Sequence, residues 1–131
     1  MLNTLIVALG GAIGSVARFW VSGFVAERAM GRVFPWNTLT VNITGSFIIG
    51  ILAALTLAEG KAPSTSRPFV VNFLMYGFCG GYTTFSSFSL QTLNLMHDGE
   101  WLFAGMNIIV SVVACLVGVW LGYSVGQMLN R

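Results

Sequence analysis

The sequence predicts an all-α membrane protein with four transmembrane helices, the third of them broken near its centre. Three observations predict it. Of 131 residues, 56% are hydrophobic and only 8% charged, with a mean hydropathy of +0.82. Soluble domains run nearer one quarter charged. Six Lys and Arg with four Asp and Glu cannot build a polar shell for a chain of this size. The apolar residues also gather into four long runs parted by short polar loops, and a helical span needs about 20 apolar residues. Lastly, the runs are too long and too uniformly apolar for the alternating segments of about ten residues that a transmembrane barrel uses. In hydrocarbon every backbone polar group must be satisfied internally, so such runs are helices. This composition excludes a cytosolic enzyme, a nucleic-acid binder and a secreted disulfide scaffold. A net charge of +2 is too small to point to a polyanion partner.

The first run extends from about Leu2 to Val25 and carries one charge, Arg18. The start lacks a basic n-region and continues past any cleavage point, so it reads as a span and not as a signal peptide. AERAMGRVFPWN follows as a loop, and the second span runs from about Trp36 to Ala58. The polar stretch EGKAPSTSRP, Glu59 to Pro68, leads to the third span, about Phe69 to Met96. Its middle, FCGGYTTFSSFS, is poor material for a continuous helix. The loop HDGE turns the chain into the fourth span, about Trp101 to Leu129. Residues 1–131 thus read as one four-helix transmembrane domain with no room for an extramembrane domain. Trp20, Trp36, Trp101 and Tyr123 fall near span ends, where amphipathic rings favour the interface.

Four spans place both termini on one side. That side carries Lys61, Arg67 and Arg131, and the other carries Arg28 and Arg32, with Arg18 if it snorkels outward. Cytoplasmic loops normally hold a clear Lys and Arg excess. Here the balance leaves orientation weakly specified, which points to dual insertion and an antiparallel dimer.

Several chemistries are missing. The one histidine, His97, sits in a polar turn beside Asp98 and Glu100. No carboxylate lies inside a span, whereas proton-coupled transporters usually need one there. No serine has a His or Lys base placed to activate it. Cys79 and Cys115 lie in apolar runs without a CxxC or Cys/His cluster, so no zinc or redox site is expected.

What remains is a set of neutral hydrogen-bonding groups within the spans. Thr38, Asn42 and Ser46 recur every four residues and share one helical face. Asn107, Ser111 and Cys115 do the same in the fourth span, while Phe85 with Phe88 and Ser86 with Ser89 are three apart in the third. Such groups either knit helices together or line an ion path. Gly118, Gly122 and Gly126, and Gly10 with Gly14, read as close-packing ladders. Gly80-Gly81 before Tyr82-Thr83-Thr84 should loosen the third helix near mid-membrane. Freed carbonyls there suit a hard cation such as Na⁺, and freed N–H groups suit an anion. A simple glycine kink is the plain alternative. Arg18 either snorkels to the interface or attracts an anion at a pore mouth.

At this point three strings resemble a known family. GGYTTFSSFS, Gly80 to Ser89, is similar to the central motif of the Fluc (CrcB) fluoride channels. TVNITGS, Thr40 to Ser46, and GGAIGSVARF, Gly10 to Phe19, resemble two further motifs in the same order. The resemblance covers essentially the whole chain. It implies an antiparallel homodimer with two anion pores in a bacterial inner membrane. It further implies pore roles for Phe85, Phe88 and Asn42, hydroxyls near the ion path at Ser86 and Ser89, and a vestibule position for Arg18. Asn107 matches a fourth-helix position that faces the pore. Gly80 and Thr83 match positions whose backbone carbonyls, two from each subunit, hold a structural Na⁺. Ser87 stands where the family often has Thr, and Gln91 where Glu is expected.

The expectation is therefore a passive, fluoride-selective channel with a lipid bilayer, fluoride and a second copy of itself as partners, and no organic cofactor or nucleic acid. The rivals are a small four-helix multidrug antiporter and a non-transporting assembly subunit. The antiporter needs an embedded glutamate, and Glu27 and Glu59 both stand at span edges.

Overall fold

The computed structural model describes residues 1–56 and 67–129. Among these the regular secondary structure is all helical, without a strand. Helix α1 covers Leu2–Arg28, α2 Trp36–Thr56 and α6 Trp101–Leu129. All three are long and apolar enough to cross a membrane, with mean hydropathies of 1.6, 1.8 and 2.4. The segment between α2 and α6 is made of pieces. A short α3 (Arg67–Phe69) runs into a π-helical stretch, Val70–Cys79, then α4 (Gly80–Tyr82). After the extended pair Thr83-Thr84 the chain resumes as α5 (Phe85–His97). The polar turn after α5 reverses the chain through Gly99 at φ +79°, a left-handed conformation that glycine adopts without penalty. Lys61 and Arg131, used above for the charge balance, lie outside the described residues.

Most large apolar side chains face outward. Leu5, Leu9, Ile13, Val16 and Trp20 are exposed on α1, as are Ile109, Val113, Leu116 and Trp120 on α6. Such a surface suits lipid, where no polar shell is needed. The buried interior is thin: Leu39, Val41, Ala54, Cys79, Tyr82, Leu95 and Ala104 are its main apolar members.

Backbone contact takes the place of large side chains. α2 and α6 pair most extensively, and a Cβ on Gly122 would strike the Phe47 carbonyl of α2. On the other side α1 meets the π-helical stretch in the same way. A Cβ on Gly10 would strike the Phe73 carbonyl, and one on Gly14 the Phe78 carbonyl. Gly10 and Gly14 are four apart, whereas Phe73 and Phe78 are five apart. A π-helix aligns residues i and i+5, as an α-helix aligns i and i+4. The widened helix thus keeps its carbonyls in step with the glycines of α1.

The break falls at the C-terminal end of the Gly80 to Thr84 stretch expected to loosen the helix. Gly80 and Gly81 are helical, and the extended residues are Thr83 (φ −81°, ψ 160°) and Thr84 (φ −153°, ψ 110°). β-Branched residues favour extended backbone. Gly81 instead meets α1, where a Cβ would strike the Gly11 carbonyl.

Candidate functional site

Breaking a helix inside a membrane frees backbone groups that need partners. The Thr84 N–H, which an unbroken helix would give to the Gly80 carbonyl, goes instead to Asn42 Oδ1 at 2.8 Å. Asn42 Nδ2 donates in return to the Thr84 carbonyl at 3.1 Å. One side chain of α2 thus satisfies both backbone groups of Thr84. The pairing also orients the amide, because the N–H demands the oxygen and the carbonyl demands the nitrogen.

Arg18, from α1, reaches the break from its other side. Its Nη1 donates to the Thr83 carbonyl at 3.2 Å, so the guanidinium is half-buried against the chain. The Thr83 N–H and hydroxyl both return to the Cys79 carbonyl, at 3.0 and 2.9 Å. Thr84 then caps α5, its Oγ1 accepting from the Ser87 N–H at 3.2 Å. A threonine cap satisfies one of the four orphan donors of a helix start. Tyr82, buried beside the break, stacks on Phe78 at 5.7 Å and pairs its hydroxyl with Thr44 Oγ1 at 2.9 Å.

Beside the break lies an open cavity of about 430 Å³. Its floor is α2, with Asn42, Gly45, Ser46 and Ile49. One wall is the π-helical stretch at Met75, Tyr76 and Cys79, and the other is α6 at Ser111, Val112 and Cys115. Gly80, Thr83, Thr84, Phe85 and Phe88 close its end. The two phenyl rings sit 5.2 Å apart, tilted by 49°. Phe85 is 77% exposed in the single chain, an unusual state for a ring at the end of a cavity.

Of the residues singled out in the sequence, Asn42, Gly80, Thr83, Phe85 and Phe88 meet at this cavity. Ser86, Ser89, Arg18 and Asn107 do not line it. Ser89 donates back to the Phe85 carbonyl at 3.0 Å, and Ser86 pairs with Thr84 Oγ1 at 3.3 Å. Asn107 is only 2% exposed and lies one layer behind the wall. Its Nδ2 donates to Thr92 Oγ1 at 2.9 Å, and its Oδ1 accepts from Ser111 at 3.3 Å. Thr92 in turn donates to the Phe88 carbonyl at 2.8 Å. The chain of bonds ties α5 to α6 behind Phe88. Gln91 Oε1 is the buried side-chain polar atom without a partner among the described residues.

The sequence reading did not single out Thr84 or Tyr82. Thr84 carries a visible signal, a threonine three residues before Ser87 at a helix start. Tyr82 carries none, since its partner Thr44 is on another helix. Among the described residues no group of three His, Cys, Asp or Glu side chains could hold a metal ion, and both cysteines are free.

Comparison with known proteins bears on this arrangement. The family described as CrcB-like protein, Camphor Resistance (CrcB), matches residues 5–123. A protein of Methylocella silvestris named fluoride-specific ion channel FluC is 52% identical, covering 99% of this chain and 97% of its own. Proteins of the same name from Opitutus terrae and Paramagnetospirillum magneticum are 56% and 50% identical. The first covers 96% of this chain and 93% of its own length, and the second 100% of both. Similarity over nearly the full length at this level, together with a family match over residues 5–123, makes this multi-pass membrane protein a member of the CrcB family.

Proposed function

We propose that the chain is a fluoride-selective channel of a bacterial inner membrane, working as an antiparallel dimer of dual topology. The observation that carries this reading is the meeting of Asn42, Phe85 and Phe88 at one cavity beside a mid-span helix break. The relatives' name, fluoride-specific ion channel, supports it. Transport is passive, since α1, α2, the broken crossing and α6 hold no carboxylate in their interiors to carry a proton. Hydrogen fluoride crosses bilayers unaided and dissociates inside, so a path for F⁻ lowers the cytoplasmic load.

Fluoride is small and tightly hydrated, and a narrow pore must offer donors in place of water. One hydrogen of the Asn42 amide remains after its bond to Thr84. The start of α5 points unpartnered N–H groups and the positive end of a helix dipole at the break. Phenyl rings carry a positive edge, so Phe85 and Phe88 can meet an anion edge-on. Neutral donors of this kind admit an ion and still release it. Ser86 and Ser89 lie along α5 beyond the rings, and Arg18 sets a positive charge at the outer side of the break. Asn107 acts from behind the wall through Ser111.

The break also fits a structural Na⁺ at the dimer centre. The Gly80 carbonyl has lost its helical donor to Asn42, and Gly80 is exposed with open space around it. The Thr83 carbonyl keeps a second lone pair beside the Arg18 bond. Two carbonyls from each of two chains make a hard oxygen set of the kind such cations take. When bound, the ion would hold the two breaks together.

The test is fluoride efflux from liposomes containing the purified protein, with chloride in parallel. Fast fluoride flux, little chloride flux and loss of fluoride flux in Phe85→Ile are expected. No fluoride flux from folded wild-type protein would overturn the reading.

A further inference from the structure

We infer that Ser46 is a further fluoride contact, the hydroxyl donor that follows Asn42 along the floor of the cavity. The inference rests on the channel reading above.

Six side chains there carry a hydrogen on nitrogen or oxygen: Asn42, Ser46, Tyr76, Thr83, Thr84 and Ser111. Three have already given it away. Thr83 donates to the Cys79 carbonyl, Thr84 to Ser87 Oγ at 3.0 Å, and Ser111 to Asn107 Oδ1. These hydroxyls have no hydrogen left to offer an anion. Tyr76 stands at the rim, 69% exposed. Inside, among the described residues, the side-chain N–H and O–H donors left free are the second Asn42 hydrogen and the Ser46 hydroxyl.

The Ser46 hydroxyl departs from the pattern of Thr40, Thr44 and Thr56 on its own helix. Hydroxyls in apolar helices usually bond back to the carbonyl four residues earlier. Thr40, Thr44 and Thr56 do so on α2, Ser89 and Thr92 on α5, and Ser124 on α6. Ser46 does not, and among the described residues it has no hydrogen-bond partner. Its side chain lines the cavity instead. Four residues separate it from Asn42, so the two donors share a face with an axial spacing of about 6 Å. An ion released by Asn42 therefore meets a second neutral donor one turn further on. Two weak sites in sequence allow entry and exit where one strong site would trap the ion.

Ser46→Ala and Ser46→Thr are compared with wild type in the liposome assay, with dimer content checked by gel filtration. Removing a hydrogen bond to a charged group should slow fluoride efflux by about tenfold or more in Ser46→Ala. Ser46→Thr, which keeps the hydroxyl, should stay within about threefold of wild type. Should Ser46→Ala fail to fold, Ser46→Thr against Ser46→Val, matched in shape, makes the same comparison. Wild-type flux in Ser46→Ala overturns the inference. So does equal loss in the hydroxyl-bearing and hydroxyl-free variants, which would make Ser46 a packing residue. An inactive wild type is a different result, because it sinks the channel reading itself.

Discussion

Asn42 shows how one side chain satisfies two backbone groups at once. As a lone amide in an apolar span it reads from the sequence as costly, hence as partnered or functional. Its partner, the Thr84 backbone, is 42 residues away, and no spacing rule reveals it. Removing the amide leaves two backbone groups unsatisfied at mid-span, at about 1–3 kcal/mol each. Asn42→Ala should therefore lower the melting temperature in detergent and abolish fluoride efflux. Asn42→Asp keeps the acceptor for the Thr84 N–H, yet it sets a carboxylate oxygen against the Thr84 carbonyl. That variant should be no more stable than Asn42→Ala and should not conduct. A wild-type melting curve for Asn42→Ala would show that the clamp contributes nothing. Asn107 gives the complementary lesson. Its stripe with Ser111 is legible from helical periodicity, but the buried bond to Thr92 that keeps it behind the wall is not.

At the level of elements, small residues decide how near the helices come. Gly14 faces the Phe78 carbonyl, whereas Gly23, on the same helix, has open space around it. An added methyl at Gly14 must push α1 away from the π-helical stretch, and overpacking of this kind costs about 1–3 kcal/mol. At Gly23 the same methyl meets nothing and gains helix propensity, about 1 kcal/mol. Gly14→Ala should thus melt lower than wild type, and Gly23→Ala at or above it. Equal melting of the two variants would refute the close contact. The Gly10 and Gly14 ladder is legible in the sequence as spacing. The π-helical stretch opposite is not, because its wider turn depends on matching α1, a tertiary condition. For the same reason the glycine pair Gly80-Gly81 points near the break without marking it. Gly81 is used for contact, and the β-branched pair Thr83-Thr84 is where the helix opens.

The whole molecule is short of interior. One chain leaves Phe85 exposed at the end of its cavity and keeps only a thin apolar core. A second copy would cover such a surface, and under the proposed dual topology the near-equal Lys and Arg counts on the two sides would let that copy insert the other way round. If the channel requires both orientations, biasing insertion must stop it. Two lysines added between α1 and α2 should hold that loop in the cytoplasm and abolish fluoride resistance in cells. Co-expression with a chain biased oppositely, by lysines near the termini, should restore it. Full function of either biased chain alone would rule out the antiparallel dimer.

By itself the sequence determined the membrane setting, the helical class and the family. These follow from composition, run length and contiguous motifs, all local properties of the chain. Which polar groups meet was decided only by the tertiary structure. Asn42 and Arg18 close on neighbouring residues of the break from two different helices, and the hydrogen of each hydroxyl goes wherever the nearest acceptor lies. Hydrogen bonds act over about 3 Å and between chosen atoms, so they are settled by the packing of helices far apart in the chain. Among the described residues that packing leaves the Ser46 hydroxyl without a partner and engages the hydroxyl of Ser111, although the two look alike in the sequence.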